Sequence, residues 1–112
     1  MHSHAEGGYS RASGEASHTE GSNTIASGTA SHAEGGYSLA SGNYSHAEGS
    51  GNTASGDNAH AEGNNTTAYG AASHSEGNQT KATGNYSHTE GNYTEAKNEG
   101  EHAGGMYNKS NN

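Results

Sequence analysis

Alanine and small polar residues, not aliphatic ones, set the pattern of this chain. Ser3-His4-Ala5-Glu6-Gly7 alternates small side chains with large polar ones, and the same five-residue pattern returns every fourteen residues to the end. Period-two alternation sends Ser3, Ala5 and Gly7 to one side of an extended strand and His4 and Glu6 to the other. A related segment follows each copy. It runs Ser10-Arg11-Ala12-Ser13-Gly14, Thr24-Ile25-Ala26-Ser27-Gly28, Ser38-Leu39-Ala40-Ser41-Gly42 and onward to Thr80-Lys81-Ala82-Thr83-Gly84, so both halves of the unit read Ser-x-Ala-x-Gly. The pattern predicts two short strands per unit. A helical reading fails, because glycine in nearly every turn costs about 1 kcal/mol each relative to alanine and no apolar stripe recurs at helical spacing.

Between the strands stand the pairs Gly7-Gly8, Gly35-Gly36, Gly42-Asn43, Gly63-Asn64, Gly77-Asn78, Gly84-Asn85 and Gly91-Asn92. Glycine and asparagine tolerate positive φ, so these pairs are expected to form the corners. Strict self-similarity at a fixed period marks a solenoid, in which each repeat buries its face only against its neighbours. The expected fold class is therefore all-β, a parallel β-roll or β-solenoid of 14-residue coils stacked about 4.8 Å apart into a rod of roughly 35–40 Å. Seven full repeats and a degenerate eighth fill residues 1–105, and residues 106–112 are expected to leave the roll as an extended or disordered segment.

Composition sharpens the picture. The 112 residues include a single Ile and a single Leu, with no Val, Phe, Trp or Pro. Ordering a chain costs on the order of 1.5 kcal/mol per residue, which so few aliphatic side chains cannot offset. Low hydrophobicity with a net charge of -8 is the ordinary signature of disorder. A strict repeat with small residues at fixed places points instead to regular backbone pairing, with an interior too narrow for Leu or Phe. Arg11, Lys81, Lys97 and Lys109 are the only basic residues apart from histidine and form no patch, which argues against a nucleic-acid partner. No segment is long and apolar enough for a spanning helix, so membrane insertion is not expected. The repeat starts directly after Met1 without a signal peptide, and the chain is expected to be a piece of a longer protein.

Paired Ser-x-Ala-x-Gly half-repeats on this period resemble the head repeats of trimeric autotransporter adhesins (YadA-like heads) and the related rods of bacteriophage tail fibres. The likeness covers residues 3 to about 105, and the ending from Gly105 to Asn111 is closer to tail-fibre and prophage proteins than to surface adhesins. The resemblance implies a left-handed roll with three chains packed around one axis, a homotrimer. It implies a structural rod or receptor-proximal segment of a virion tail fibre or a bacterial surface adhesin, mediating attachment to a host receptor or glycan. Where the adhesin half-repeat reads Ser-Val-Ala-Ile-Gly and packs its aliphatic residues toward the axis, this chain has His and Glu.

Those residues are the first candidate site. His4, His18, His32, His46, His60, His74 and His88 are each followed two residues later by Glu6, Glu20, Glu34, Glu48, Glu62, Glu76 and Glu90; the last copy, with His102, has lost its glutamate. A column of glutamates would repel itself on a bare surface, whereas a partner chain could set an imidazole against each carboxylate, so the ladder is expected to be the trimer interface. If the pairs are ionic, assembly raises the histidine pKa values and stability peaks in mildly acidic solution. Three imidazoles around a three-fold axis would leave a metal ion an incomplete shell, and a structural His–Glu ladder is the preferred reading; no metal or cofactor is assigned. Ser, His and Glu repeat identically in every coil, which argues for architecture over a unique active site, and no enzymatic activity is expected.

Tyr9, Tyr37, Tyr44, Tyr86 and Tyr93 are the second candidate site. They stand near strand starts and could stack on sugars, so a carbohydrate- or metal-binding solenoid module is the alternative function. Ice binding is disfavoured, because the outward column of the second half runs Arg11, Ile25, Leu39, Thr53, Thr67, Lys81 and Glu95 instead of a flat row of hydroxyls.

Overall fold

The structure, a computed structural model, describes residues 2–109. Its strands alternate between two parallel sheets. The first holds β1 (His4–Glu6), β3 (His18–Ser22), β5 (His32–Gly36), β7 (His46–Ser50), β9 (His60–Asn64), β11 (His74–Asn78), β13 (His88–Thr89) and β15 (His102–Ala103), in that order. The second holds β2 (Arg11–Ala12), β4 (Ile25–Ala26), β6 (Leu39–Ala40), β8 (Thr53–Ala54), β10 (Thr67–Ala68), β12 (Lys81–Ala82) and β14 (Glu95–Ala96). Every strand pairs with the one a full coil away, in register: His32 with His46, Ala33 with Ala47, Glu34 with Glu48. The chain is thus an all-β solenoid of stacked coils, 42 × 21 × 13 Å in extent.

Both sheets turn alanine inward. Ala33, Ala47 and Ala61 of the first meet Ala26, Ala40, Ala54 and Ala68 of the second, all at 0% exposure. Buried hydroxyls complete the interior and are tied to the backbone. Ser31, Ser45, Ser73 and Ser87 each donate Oγ–H to the glycine carbonyl three residues earlier at 2.6–2.7 Å. Two residues that precede second-sheet strands reach back across the coil: Thr80 and Thr94 donate to the carbonyls of Glu76 and Glu90 at 3.1 Å. Asn52 holds the same place in its coil, accepting from the Thr66 backbone and hydroxyl at 2.8 and 2.9 Å and donating to the Gly63 carbonyl at 2.9 Å. A buried amide with partners on both sides costs little.

The corners differ from the sequence expectation. Gly35, Gly63 and Gly91 do take positive φ, but Gly42 and Gly84 do not. Gly42 is required for another reason: a Cβ there would lie 2.1 Å from the Gly56 carbonyl oxygen of the next coil. The asparagines of the pairs are not left-handed either. Asn43 and Asn85 instead accept from the backbone N–H of Thr29 and Ala71 in the preceding coil at 3.0 and 2.9 Å, and Asn64, Asn78 and Asn92 form an amide ladder at 3.0 and 2.8 Å. The left-handed residue falls one place later, on Tyr37, Tyr44, Asn65, Tyr86 or Tyr93, at φ between 57° and 62°.

The expected exit also moves. Met106 bridges to Asn92 and Lys109 to Glu95, and the Tyr107 N–H donates to the Asn92 carbonyl at 2.8 Å, so coil register continues through Lys109. Residues 110–112 of the expected exit segment lie outside the described residues.

Candidate functional site

The first sheet points its histidines and glutamates away from the alanine core, and the in-register pairing stacks them into two adjacent columns. Neighbouring imidazoles lie 4.6–5.0 Å apart from His4 to His102. They are parallel within 10° except at His18–His32, where the rings tilt by 44°. The structure therefore brings all fourteen ladder residues expected from the sequence into one continuous face.

Their pairing corrects one premise. A partner chain is not needed to set an imidazole beside each carboxylate, because the histidine two residues earlier already does so. Nε2 approaches Oε1 at 2.8 Å in His32–Glu34 and His46–Glu48, 2.9 Å in His60–Glu62 and 3.1 Å in His74–Glu76. His60 and His74 also lie 3.9 Å from Glu48 and Glu62 of the coil before, and His102, which has no glutamate of its own, lies 4.0 Å from Glu90. In His4 and His18 the contact is a hydrogen bond of 2.8 and 3.0 Å. From His32 to His88 the oxygen lies off the line of the ring N–H, so Nε2 is enclosed by the stack without a formed hydrogen bond. Proximity there is electrostatic more than directional.

Stacking sets the protonation preference of two rings in this column. The pKa values of His60 and His88 are lowered, first by burial and then by the flanking histidines, against the opposing pull of the nearby glutamates. Each of these neighbours would lie beside a second cation if both rings were charged. Within the single chain, then, the shift of these two rings is opposite to the rise expected for an ionic assembly.

Consecutive histidines and the glutamate between them bring three potential metal-ligand atoms within 4.8 Å of one another, as in His46, Glu48 and His60. The stack is nevertheless poorly shaped for one ion. The Nε2 lone pair lies in the ring plane, so an ion at about 2.1 Å from one nitrogen lies nearly a full stacking distance from the next parallel ring.

The tyrosines are not brought together. Tyr9, Tyr37, Tyr44 and Tyr86 are 90%, 71%, 63% and 63% exposed and stand singly on two different corners of the coil. Tyr93 alone gains an aromatic neighbour, stacking on Tyr107 at 5.3 Å. Sequence reasoning missed a cleft of about 310 Å³ beside it, lined by Asn65, Gln79, Tyr93, Lys81, Glu95 and Lys109 with the intervening threonines. The available signal was that Lys81, Glu95 and Lys109 succeed one another in a single outward column.

No family model matches the chain, and no curated protein matches it.

Proposed function

We propose that this chain is a rod segment of a homotrimeric attachment fibre, of the kind found in bacteriophage tail fibres or bacterial surface adhesins, with the His/Glu face turned toward the other copies. The observation that carries the reading is the difference between the two outward faces of one solenoid. The first sheet repeats His and Glu in seven consecutive coils, while the leading outward position of the second runs Arg11, Ile25, Leu39, Thr53, Thr67, Lys81 and Glu95. A face that meets solvent tolerates variation. A face that meets the same axis at every level is held to one chemistry, and the resemblance to YadA-like heads implies that these positions face the axis.

Assembly changes the charge balance of the ladder. Three glutamate columns converging on one axis require counter-charge, and the imidazoles beside them supply it by taking up protons. Histidines in the assembly thus have pKa values raised above those of the free chain. The contribution they make to association is present below the free-chain value and is lost as pH rises through the assembled value.

Cysteine placement tests which face is shared. Glu48→Cys, treated with a short bismaleimide, is expected to yield covalently linked copies, whereas Thr53→Cys on the second sheet is expected to stay monomeric under the same treatment. Linking through Thr53→Cys and none through Glu48→Cys would overturn the reading.

A further inference from the structure

We propose that the cleft at the C-terminal coils is a binding site for an acidic saccharide ring of the hexuronic type. The inference does not rest on the trimer reading, since the cleft lies at a corner and on the outward side of the second sheet, across the alanine core from the His/Glu face. Its shape follows from the coil. Asn65, Gln79 and Tyr93 occupy the left-handed corner position in three successive coils, at φ of 57°, 56° and 60°. Two residues after these and after Tyr107 of the next coil come Thr67, Lys81, Glu95 and Lys109, joined in register across the second sheet. The residue between these columns, Thr80 or Thr94, is buried with its hydroxyl spent on a first-sheet carbonyl and forms the floor. In earlier coils the corresponding columns carry Tyr9 and Arg11, Asn23 and Ile25, Tyr37 and Leu39, and Gly51 and Thr53, so no earlier run of three coils sets two cations along the outward column.

The wall chemistry selects the ligand class. The cleft of about 310 Å³ is at the small end of ligand sites, roomy enough for one or two sugar rings. Its walls are amides, one aromatic ring and charges, which suit a ligand with many hydroxyls and an apolar C–H face and do not suit an apolar one. Tyr107 stacks on one face of Tyr93 at 5.3 Å. Among the described residues every ion pair within 4.0 Å joins a histidine to a glutamate, so Lys81, Glu95 and Lys109 face the cleft without closing one with each other. The Gln79 side-chain amide likewise makes no hydrogen bond among the described residues. Two lysines against one glutamate leave the cleft cationic on a chain of net charge -8. A sugar carboxylate would meet the lysines, and its hydroxyls Glu95 and the amides.

Titrating the full chain with methyl β-D-glucuronide, and with neutral methyl β-D-glucoside and acetate as comparators, tests this by amide chemical shifts. The glucuronide is expected to move the amides of Lys81, Tyr93, Glu95 and Lys109 with a dissociation constant on the order of millimolar, as befits an open polar cleft. The Lys81→Ser, Lys109→Ser double variant is expected to weaken it about tenfold, the size of one charge-assisted hydrogen bond, and Tyr93→Ala by a similar factor, with Tyr37→Ala silent. These side chains stand outside the core, so an unchanged circular dichroism spectrum will confirm that the variants fold. No shift at the cleft, equal response to acetate or to the glucoside, or equal weakening by Tyr37→Ala would overturn the proposal.

Discussion

The two sheets share one interior and differ outside. Each turns alanine inward at 0% exposure through the middle coils, and each is held by the same fourteen-residue register, yet one outward face keeps His and Glu through seven coils while the other varies at its leading position from Arg11 to Glu95. Interior positions are therefore set by the coil itself, whose cross-section admits nothing larger than Thr or Asn52. Outward positions are set by what each face meets. The chain needs no aliphatic core because stacked backbone hydrogen bonds and close coil-to-coil approach take that place.

The largest effects are expected where both faces depend on the same geometry. Gly42→Val drives a Cβ into the Gly56 carbonyl and should destabilise by about 3 kcal/mol or more in thermal or chemical unfolding. Ala40→Leu and Ala47→Leu, one from each sheet, should each cost about 1–3 kcal/mol by overfilling the interior. Tolerance of one and not the other would break the idea of a shared core.

The outward faces should then part company. Replacing His46 and Glu48 together by Val and Ile is expected to leave the assembly neutral or more stable, and replacing Glu48 alone by Ile to cost more, because the lone change leaves His46 without its carboxylate. Leu39→Thr on the second sheet should stay within about 0.5 kcal/mol of the parent, as surface changes do. Equal effects of Glu48→Ile and Leu39→Thr on association would erase the distinction between the faces.

Acid supplies a smaller effect with opposite signs at two levels. His60 and His88 have pKa values below the ordinary value in the folded chain, so the native state binds fewer protons than the unfolded one. The stability of the single chain is therefore full above the unfolded value of about 6.5 and is lost as pH falls from there through the lowered values. The proposed association is expected to run the other way and to strengthen as the medium becomes mildly acidic. Unfolding of a dilute, monomeric sample at pH 7.5 and 5.5 isolates the first effect, and a lower midpoint at pH 7.5 would contradict it.

Much of this was legible from the repeat. Ser-His-Ala-Glu-Gly on a strict period predicts a parallel solenoid, the inward alanine and the outward His/Glu columns, because alternation and register follow from the pleat alone. What glycine and asparagine do at the corners was not legible. A glycine can be needed for positive φ alone, as Gly105 is, or for lack of a Cβ, as Gly42 is, and both look alike in sequence. Asn43 likewise reads as a turn former and acts as a hydrogen-bond acceptor between coils. The contact of His46 with its own Glu48 at 2.8 Å depends on rotamers, not on spacing, and the cleft beside Tyr93 joins residues from several coils and two columns.

The central claim is that the uniform face is where copies of the chain meet. Sedimentation equilibrium of the intact chain at pH 6 tests it most directly. The account predicts three times the 11.3 kDa chain mass, falling toward the monomer as pH is raised to 8 or when Glu48 and Glu62 are replaced by Lys. A folded species that stays at 11.3 kDa at both pH values, or a trimer indifferent to the two lysines, would contradict it.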